Sequence, residues 1–176
     1  MEYIKIIRPE DPMLAAVATL YRNAFPKEER REWNELLSMI GTVPEMRLQV
    51  IVDGKEEIGF IISWVLNDWC FIEHFALSEK LRGRGYGEIV MKDFMSQYKV
   101  LLEIEPPDTK DAIRRLNFYE KIGMFRLHFP YQQPSYREAG VFYKMLLMSN
   151  ISVTEQLEMD RVLHLVMKQI YFRFQN

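Results

Sequence analysis

The first half of the chain has the hydrophobic pattern of strands. Residues 3–8 alternate polar and apolar positions, as a short half-buried strand does. Three longer apolar segments follow at residues 47–52, 57–66 and 69–77. Asp53-Gly54 separates the first two of these segments, and Asn67-Asp68 separates the last two; both pairs are typical of tight turns. The pattern therefore predicts an antiparallel meander.

The hydrophobic period then changes from two to 3.6, which predicts helices. One helix is expected from Tyr86 to about Tyr98, and another from Asp108 or Thr109 to a left-handed cap at Gly123. Strands are predicted at residues 100–105, 124–129 and 141–147. Two helices precede the meander, one after Asp11-Pro12 and one over residues 33–40, and a last one runs from the capping box at residues 152–155 toward Phe174. This order indicates an α/β (α+β) protein, with a mixed sheet and helices on both faces.

A length of 176 residues suits one ordinary domain. We expect that domain over residues 1–148 and a C-terminal helical extension over residues 149–176. The apolar stripe of the extension either packs against the sheet of its own chain or binds a second subunit in a homodimer. The stripe consists of Leu157, Leu163, Val166, Met167, Ile170 and Phe174.

Charge and cysteine content exclude several classes of partner. With 23 Lys and Arg against 25 Asp and Glu, the net charge is −2, so no basic field exists to bind nucleic acid or an anionic membrane. Cys70 is the only cysteine, which excludes an internal disulfide and leads us to expect no metal site. The N-terminus has no apolar stretch of signal-peptide length, and no segment approaches the roughly 20 apolar residues that cross a bilayer. We therefore expect a cytoplasmic protein.

The chemistry is concentrated in one segment, where the strand at residues 69–77 leads into Arg82-Gly-Arg-Gly-Tyr-Gly87 and then into a helix. Glycines allow a tight turn whose amides approach a ligand closely, and the helix N-terminus adds unpaired N–H donors. Such a loop suits a phosphate or pyrophosphate. The alternative is a glycine-rich turn with solvated arginines. The P-loop pattern is absent, and a dinucleotide fingerprint would follow the first strand rather than the fourth.

Three motifs together resemble the GNAT superfamily of acyl-CoA-dependent N-acetyltransferases. They are Arg82-x-x-Gly85-x-Gly87, Leu102-Glu-Ile-Glu105, and Asn117 to Phe125 with its Phe-Tyr-Glu-Lys-x-Gly-x-Phe pattern. The likeness covers about residues 3–147. It implies a largely antiparallel sheet that is splayed between its fourth and fifth strands, with acetyl-CoA as the acetyl donor in the gap.

The resemblance also implies roles for individual residues. The strand end at Phe75, Ala76 and Leu77 would pair with the pantetheine arm, and the amide of Leu77 would donate to the thioester oxygen. The loop formed by Arg82, Gly83, Arg84, Gly85, Tyr86 and Gly87 would hold the pyrophosphate. Tyr119 would protonate the departing CoA thiolate, although its place on an apolar helix face also suits a core tyrosine.

An alkyl ammonium with a pKa near 10.4 must lose a proton before it attacks, so a base is needed. We rank Glu73 first, because a regular strand places it on the same face as Phe75 and Leu77. Glu105, Glu103 and His74 follow in that order. Glu73 also has a structural explanation, in which it anchors a loop or pairs with an arginine, and His74 has a structural explanation as well.

Two segments that mix aromatic residues with both signs of charge are expected to bind the acceptor. We name Phe25 and Trp33 from the first, Tyr131 and Tyr136 from the second, and Glu105 beside them. The predicted activity is transfer of an acetyl group from acetyl-CoA to the primary amine of a small molecule or a peptide, by direct attack in a ternary complex. The alternative is a module that binds an acyl-CoA or another phosphorylated ligand without turning it over.

Overall fold

The predicted strands pair into one seven-stranded sheet in the computed structural model, which describes residues 1–173. Its order is β1-β2-β3-β4-β5-β9-β6, and only β4 and β5 are parallel neighbours. The strands are β1 (Glu2–Ile6), β2 (Met46–Asp53), β3 (Glu56–Leu66), β4 (Trp69–Leu77), β5 (Lys99–Ile104), β6 (Phe125–Leu127) and β9 (Leu146–Ser149). A separate hairpin consists of β7 (Gln132–Pro134) and β8 (Phe142–Lys144).

Helices cover both faces of the large sheet, so two apolar layers form. The helices are α1 (Leu14–Ala24), α2 (Trp33–Met39), α3 (Tyr86–Gln97), α4 (Lys110–Lys121) and α5 (Gln156–Val166), and a π-helical turn (Met167–Tyr171) follows α5. The first face carries α1, α2, α5 and the π-helical turn, and the second face carries α3 and α4. In the part of the chain that the structure describes, no helix is long and apolar enough to span a membrane.

Several local predictions are confirmed. Residues 46–77 form the antiparallel meander, and Asn67 adopts a left-handed φ of 59° in its second turn. The Thr109 hydroxyl oxygen accepts a hydrogen bond from the Ala112 amide over 3.1 Å, which caps α4. Gly123 has a φ of 94° just after that helix. These features depend on neighbouring residues only, which is why the sequence reveals them.

Three boundaries differ from prediction. Residues 141–147 are not one strand, because β8 pairs with β7 while β9 pairs with β5 and β6, and the chain passes between the two sheets at Met145. The prediction of a capping box at residues 152–155 is wrong, because α5 begins at Gln156 and the Glu155 side chain does not cap it. The first helix begins at Leu14, and the Asp11 carboxylate accepts from the Met13 amide in the preceding turn. Phe174, predicted for the apolar stripe, lies outside the described residues.

A β-bulge at Glu73 changes which way β4 faces. Ile62 of β3 pairs with His74 and its neighbour Ser63 pairs with Ile72, so Glu73 has no partner across the ladder. An extra residue of this kind bends a strand and shifts the alternation of its side chains. Phe71 therefore lies in the first-face layer and Ile72 in the second, but Ala76 returns to the first.

Candidate active site

The sheet splits between its two parallel strands. Pairing of β4 with β5 ends at Ile72 and Leu102, and beyond this point β4 pairs with β3 alone. The Ser78 amide donates to the Ile58 carbonyl of β3 over 2.8 Å. Because successive amides of a strand point to opposite sides, those of Phe75 and Leu77 face the split. This is the splayed sheet that the resemblance implied.

A cavity of about 270 Å³, the first cavity, passes through the split. Second-face residues such as Tyr119 contribute to its wall, and so do first-face residues such as His74. The split therefore connects the two faces of the sheet. The wall consists of Ala24, Phe25, Glu29, Ile72, Glu73, His74, Phe75, Ala76, Leu77, Arg82, Leu102, Glu103, Glu105, Arg115, Tyr119, Gln133 and Met145.

A second cavity of about 590 Å³ lies over the glycine-rich loop and adjoins the first, since Leu77, Arg82 and Arg115 belong to both walls. Gly83, Gly85, Tyr86 and Gly87 also line it, whereas Arg84 does not. The exposed guanidinium of Arg82 pairs with Glu79 over 2.9 Å. Phe75 and Ala76, which are predicted with Leu77 to pair with the pantetheine arm, line the first cavity.

The geometry of the loop explains its glycines. Gly83 and Gly85 have φ values of 77° and 83°, in the left-handed region that favours glycine, and Gly85 is the N-cap of α3. A Cβ at Gly87 would come within 3.3 Å of the Phe118 ring of α4. The loop thus directs the unpaired amides of the first turn of α3 toward an open, 590 Å³ space. This arrangement fits a pyrophosphate.

Tyr119 lies on α4 and lines the first cavity from the second face. Burial raises the pKa of its hydroxyl to about 12. The phenol is therefore fully protonated at neutral pH, as a proton donor must be. Among the described residues, no hydrogen-bond partner occupies this hydroxyl.

Glu73, the first-ranked base, is held by an arginine. The Arg31 Nε donates to Glu73 Oε1 over 2.7 Å, and the Trp64 Nε1 donates to Oε2 over 2.6 Å. Burial opposes ionisation of this carboxyl, but Arg31 lowers its pKa below the usual value. The expectation that Glu73 shares a face with Phe75 and Leu77 is wrong: Glu73 stays on the first face, as Phe71 does, and the bulge moves Phe75 and Leu77 to the second face. Its catalytic role stays a prediction.

Glu103 lies on β5 in the wall of the first cavity. The Tyr131 hydroxyl donates to its Oε1, and the Tyr171 hydroxyl lies 3.0 Å from both carboxylate oxygens. Burial raises the pKa of Glu103 to about 8, even though both phenols act in the opposite direction. A carboxylate with such a pKa is a better proton acceptor than an ordinary one.

The other two base candidates have their own partners. His74 Nε2 donates to the Glu29 carbonyl over 2.9 Å, and burial lowers the pKa of the imidazole, so it is neutral. Its buried Nδ1 has no partner among residues 1–173. Glu105 pairs with Arg115 of α4 at the mouth of the first cavity.

The structure brings only some predicted acceptor residues to the cavity. Phe25 and Glu105 line it, and the Phe25 ring lies 4.6 Å from the His74 ring. Trp33 packs against Tyr21 at 6.0 Å and does not line the cavity. Tyr131 and Tyr136 lie behind the wall: Tyr131 contacts Glu103, and Tyr136 stacks over the Arg31 guanidinium at 4.7 Å.

Sequence reasoning missed Arg31 and Tyr171. Arg31 lies in the charged run 27–32, whose pattern suits a solvated helix start and an acceptor-binding lid equally, and its side chain is only 2% exposed. Tyr171 follows Ile170 of the predicted stripe, and its hydroxyl reaches the active-site carboxylate of Glu103. The stripe was the available signal for Tyr171, whereas no local pattern distinguishes Arg31 from its solvated neighbours.

Comparison with known proteins agrees with this geometry. A sequence model of the acetyltransferase (GNAT) family matches residues 14–124. No curated protein sequence matches the chain at a significant level. A structure from Bacteroides thetaiotaomicron, described as a GNAT-family acetyltransferase, is 27% identical, with a TM-score of 0.90 over 97% of this chain and 98% of that chain.

Two more distant structures share the fold. An aminoglycoside 6'-N-acetyltransferase complexed with coenzyme A is 17% identical, with a TM-score of 0.58 over 88% of this chain and 100% of that chain. A spermidine N-acetyltransferase variant from Vibrio cholerae is 13% identical, with a TM-score of 0.60 over 85% of this chain and 94% of that chain.

Proposed function

Because the chain belongs to the GNAT acetyltransferase family, whose acetyl donor is acetyl-CoA, we propose that it acetylates a primary amine by direct attack in a ternary complex. The observation that carries this proposal is the split itself. The amides of Phe75 and Leu77 point away from β3 into this split. The glycine-rich loop lies on one side of them and Glu103 on the other.

The residues of the two cavities fit acetyl-CoA. The loop amides and the side chain of Arg82 bind the pyrophosphate in the second cavity, and the amide of Phe75 pairs with the pantetheine arm. When bound, acetyl-CoA supplies the acetyl group as a thioester. The Leu77 amide then donates a hydrogen bond to the thioester oxygen as negative charge develops on it.

Glu103 is the base that the contacts favour. The ammonium of the acceptor must lose a proton before its nitrogen can form the new bond to the acetyl carbon. The Arg31 guanidinium stabilises the charged form of Glu73, which makes Glu73 a weak proton acceptor. The carboxyl of Glu103, with its pKa of about 8, takes the proton more readily. Glu105 is paired with Arg115, and burial lowers the pKa of His74, so its buried Nδ1 is a weak proton acceptor.

Tyr119 completes the transfer. As the carbon–sulfur bond breaks, the sulfur leaves as a thiolate and needs a proton. The Tyr119 hydroxyl lines the cavity from the second face, opposite the first-face side of Glu103, and is protonated at neutral pH. The nitrogen loses two protons between ammonium and amide: Glu103 accepts the first before attack, and the second, released once the carbon–nitrogen bond has formed, replaces the proton that Tyr119 gives to the sulfur.

The acceptor end of the first cavity suits a cation. Glu29, Glu103 and Glu105 line it, and Arg115 is the cation beside them. Burial and the nearby Glu105 carboxylate both raise the pKa of Glu29. An arriving ammonium relieves the repulsion between these two carboxylates, so an amine is attracted before it is deprotonated.

A thiol-release screen with acetyl-CoA tests the function. The acceptors are polyamines, amino acids, aminoglycosides and peptides with free N-termini. The lone cysteine does not disturb the readout, because Cys70 is buried and burial raises the pKa of its thiol to about 11. We expect release that depends on one class of amine and is reduced roughly 100-fold or more in Glu103→Gln.

Other outcomes decide against the proposal. A rise in melting temperature with acetyl-CoA but no thiol release across the amine panel would favour the sensing module instead. The absence of any such rise at millimolar acetyl-CoA would remove the acetyltransferase.

A further inference from the structure

The C-terminal π-helical turn reaches the active site, although it lies far beyond the residues that the family model matches. That match ends at residue 124, and the turn spans Met167–Tyr171. Both Ile170 and Tyr171 are buried, at 0% and 7% exposure. The turn therefore belongs to the interior of the first face and not to a peripheral extension.

One hydrogen bond and one contact between aromatic rings hold the turn in place. The Arg31 Nη2 donates to the Ile170 carbonyl over 2.7 Å, at the end of the helical segment where carbonyls lack intrahelical partners. The Tyr136 ring lies 5.2 Å from the Tyr171 ring. Arg31 is itself bonded to Glu73 and Glu35, so the turn is connected to β4 and to α2.

The Tyr171 hydroxyl is the centre of a short polar chain. It accepts a hydrogen bond from the Gln133 Nε2 over 3.0 Å and donates toward Glu103, whose two carboxylate oxygens both lie 3.0 Å away. Gln133 and Glu103 line the first cavity. Since the amide nitrogen can only donate and an ionised carboxylate can only accept, the chain runs from Gln133 to Glu103 when Glu103 is charged.

From this chain of contacts we infer that Tyr171 is a positioning residue for the proposed acetyl transfer: its hydroxyl holds the Glu103 carboxylate toward the acceptor amine and stabilises the charged form. The inference rests on the proposed function. It means that the C-terminal turn completes the catalytic site.

Several titratable and charged groups face Glu103 or share its cavity. Tyr131, Tyr136 and Tyr171 face it from the loops and the turn, and Glu73 faces it from β4. Glu29, His74, Arg82, Glu105, Arg115 and Tyr119 line the same cavity. Of the groups that donate directly to the carboxylate, Tyr171 is the one supplied by the C-terminal turn. Removing its hydroxyl raises the pKa of Glu103, because a donor that favours the charged form is lost.

The test compares Tyr171→Phe with Tyr3→Phe. Each substitution removes one phenol hydroxyl that donates to a carboxylate. Tyr3 lies on the outer strand β1 and donates to Asp93 over 2.7 Å, and neither residue lines either cavity. Carboxyl carbons of ¹³C-glutamate-labelled protein are titrated by NMR, and Glu103 is assigned with Glu103→Gln. We expect the Glu103 titration to move up by roughly one pH unit in Tyr171→Phe and to stay in place in Tyr3→Phe.

The pH profile of thiol release supplies the functional readout. The rate of thiol release should increase with pH as Glu103 ionises. In Tyr171→Phe this increase should occur at higher pH, so that the variant is slow near pH 7 and approaches the wild-type rate above pH 9. A merely structural defect would lower the rate at every pH. If Tyr171→Phe does not fold, Gln133→Met tests the same chain one contact further from Glu103, with a smaller upward movement expected.

The two proposals fail in different ways. An unchanged Glu103 titration in folded Tyr171→Phe would overturn the inference about Tyr171, and so would a moved titration with an unmoved pH profile. The absence of thiol release from the wild-type protein with every amine would overturn the proposed function instead.

Discussion

Arg31 and Glu73 form a buried ion pair across the first face of the sheet. The Arg31 Nε and the Glu73 Oε1 are 2.7 Å apart, and their side chains are 2% and 1% exposed. Burial by itself would lower the pKa of Arg31, but the Glu73 carboxylate raises it above the usual value. The pair joins the loop before α2 to the bulge in β4, and through the Ile170 carbonyl it also joins the C-terminal turn. The pair therefore holds three segments of the first face together.

Removing one member of this pair should destabilise the fold strongly. Arg31→Met leaves the Glu73 charge buried without its partner, which costs about 3–5 kcal/mol of unfolding free energy. Urea denaturation at pH 7 measures the loss. Arg114→Met is the matched control, because Arg114 pairs with Asp111 over 3.0 Å on the exposed surface of α4; it should unfold nearly as wild type does.

The double variant Arg31→Met with Glu73→Gln should recover part of the lost stability, because no charge is then left unpaired. Equal losses for Arg31→Met and Arg114→Met would contradict the role given to the buried pair.

The glycine-rich loop should be sensitive to a single added methyl group. Gly85 and Gly54 both have positive φ, 83° and 63°, and neither has an atom within 4 Å of an added Cβ. Alanine at either position therefore introduces similar backbone strain of about 1 kcal/mol. Only Gly85→Ala disturbs the amides that face the second cavity. We expect a roughly tenfold weaker affinity for acetyl-CoA in Gly85→Ala and an unchanged affinity in Gly54→Ala, measured by calorimetry.

Tyr119→Phe should separate chemistry from binding. The variant keeps the ring in its apolar layer but removes the proton donor, so kcat should fall roughly 100-fold or more. The rise in melting temperature with acetyl-CoA should persist, since the loop amides are untouched. Tyr143→Phe on β8, outside both cavities, is the control for losing a tyrosine hydroxyl. A wild-type kcat in Tyr119→Phe would reassign Tyr119 as a core residue.

Glu103 should make the protein less stable at alkaline pH. Its pKa is about 4.3 in an unfolded chain and about 8 in the folded protein, so the folded state binds more protons between these values. The contribution of Glu103 to stability is thus fully present below pH 4 and is lost as pH rises through about 8. Glu103→Gln should gain stability over wild type between pH 5 and pH 9, by an amount on the order of a few kcal/mol.

Denaturation at pH 5 and at pH 9 compares the unfolding free energies of Glu103→Gln and the wild type. Glu120→Gln, on the exposed side of α4, is the control. A stability difference between Glu103→Gln and wild type that is the same at pH 5 and pH 9 would show that Glu103 does not titrate in this range.

Local features of the fold could be predicted from the sequence. The meander follows from alternating apolar residues and two turn signals, and the glycine-rich loop lies between β4 and α3 as expected. The cap at Thr109 and the left-handed Gly123 were also evident. In each case the cause is an interaction between residues close in the chain, so the pattern of neighbours carries the information.

The acceptor side of the site depended on contacts between distant segments. The bulge at Glu73 arises from the pairing of β4 with β3, and it moved Phe75 and Leu77 to the face opposite that carboxylate. Arg31 became a buried residue because Glu73, 42 positions away, and Ile170, 139 positions away, meet it in space. The pKa of Glu103 was likewise decided by burial, against the opposing hydrogen bonds of Tyr131 and Tyr171. Burial and charge pairing in the interior are sums over such distant neighbours, and only the folded chain brings those neighbours together.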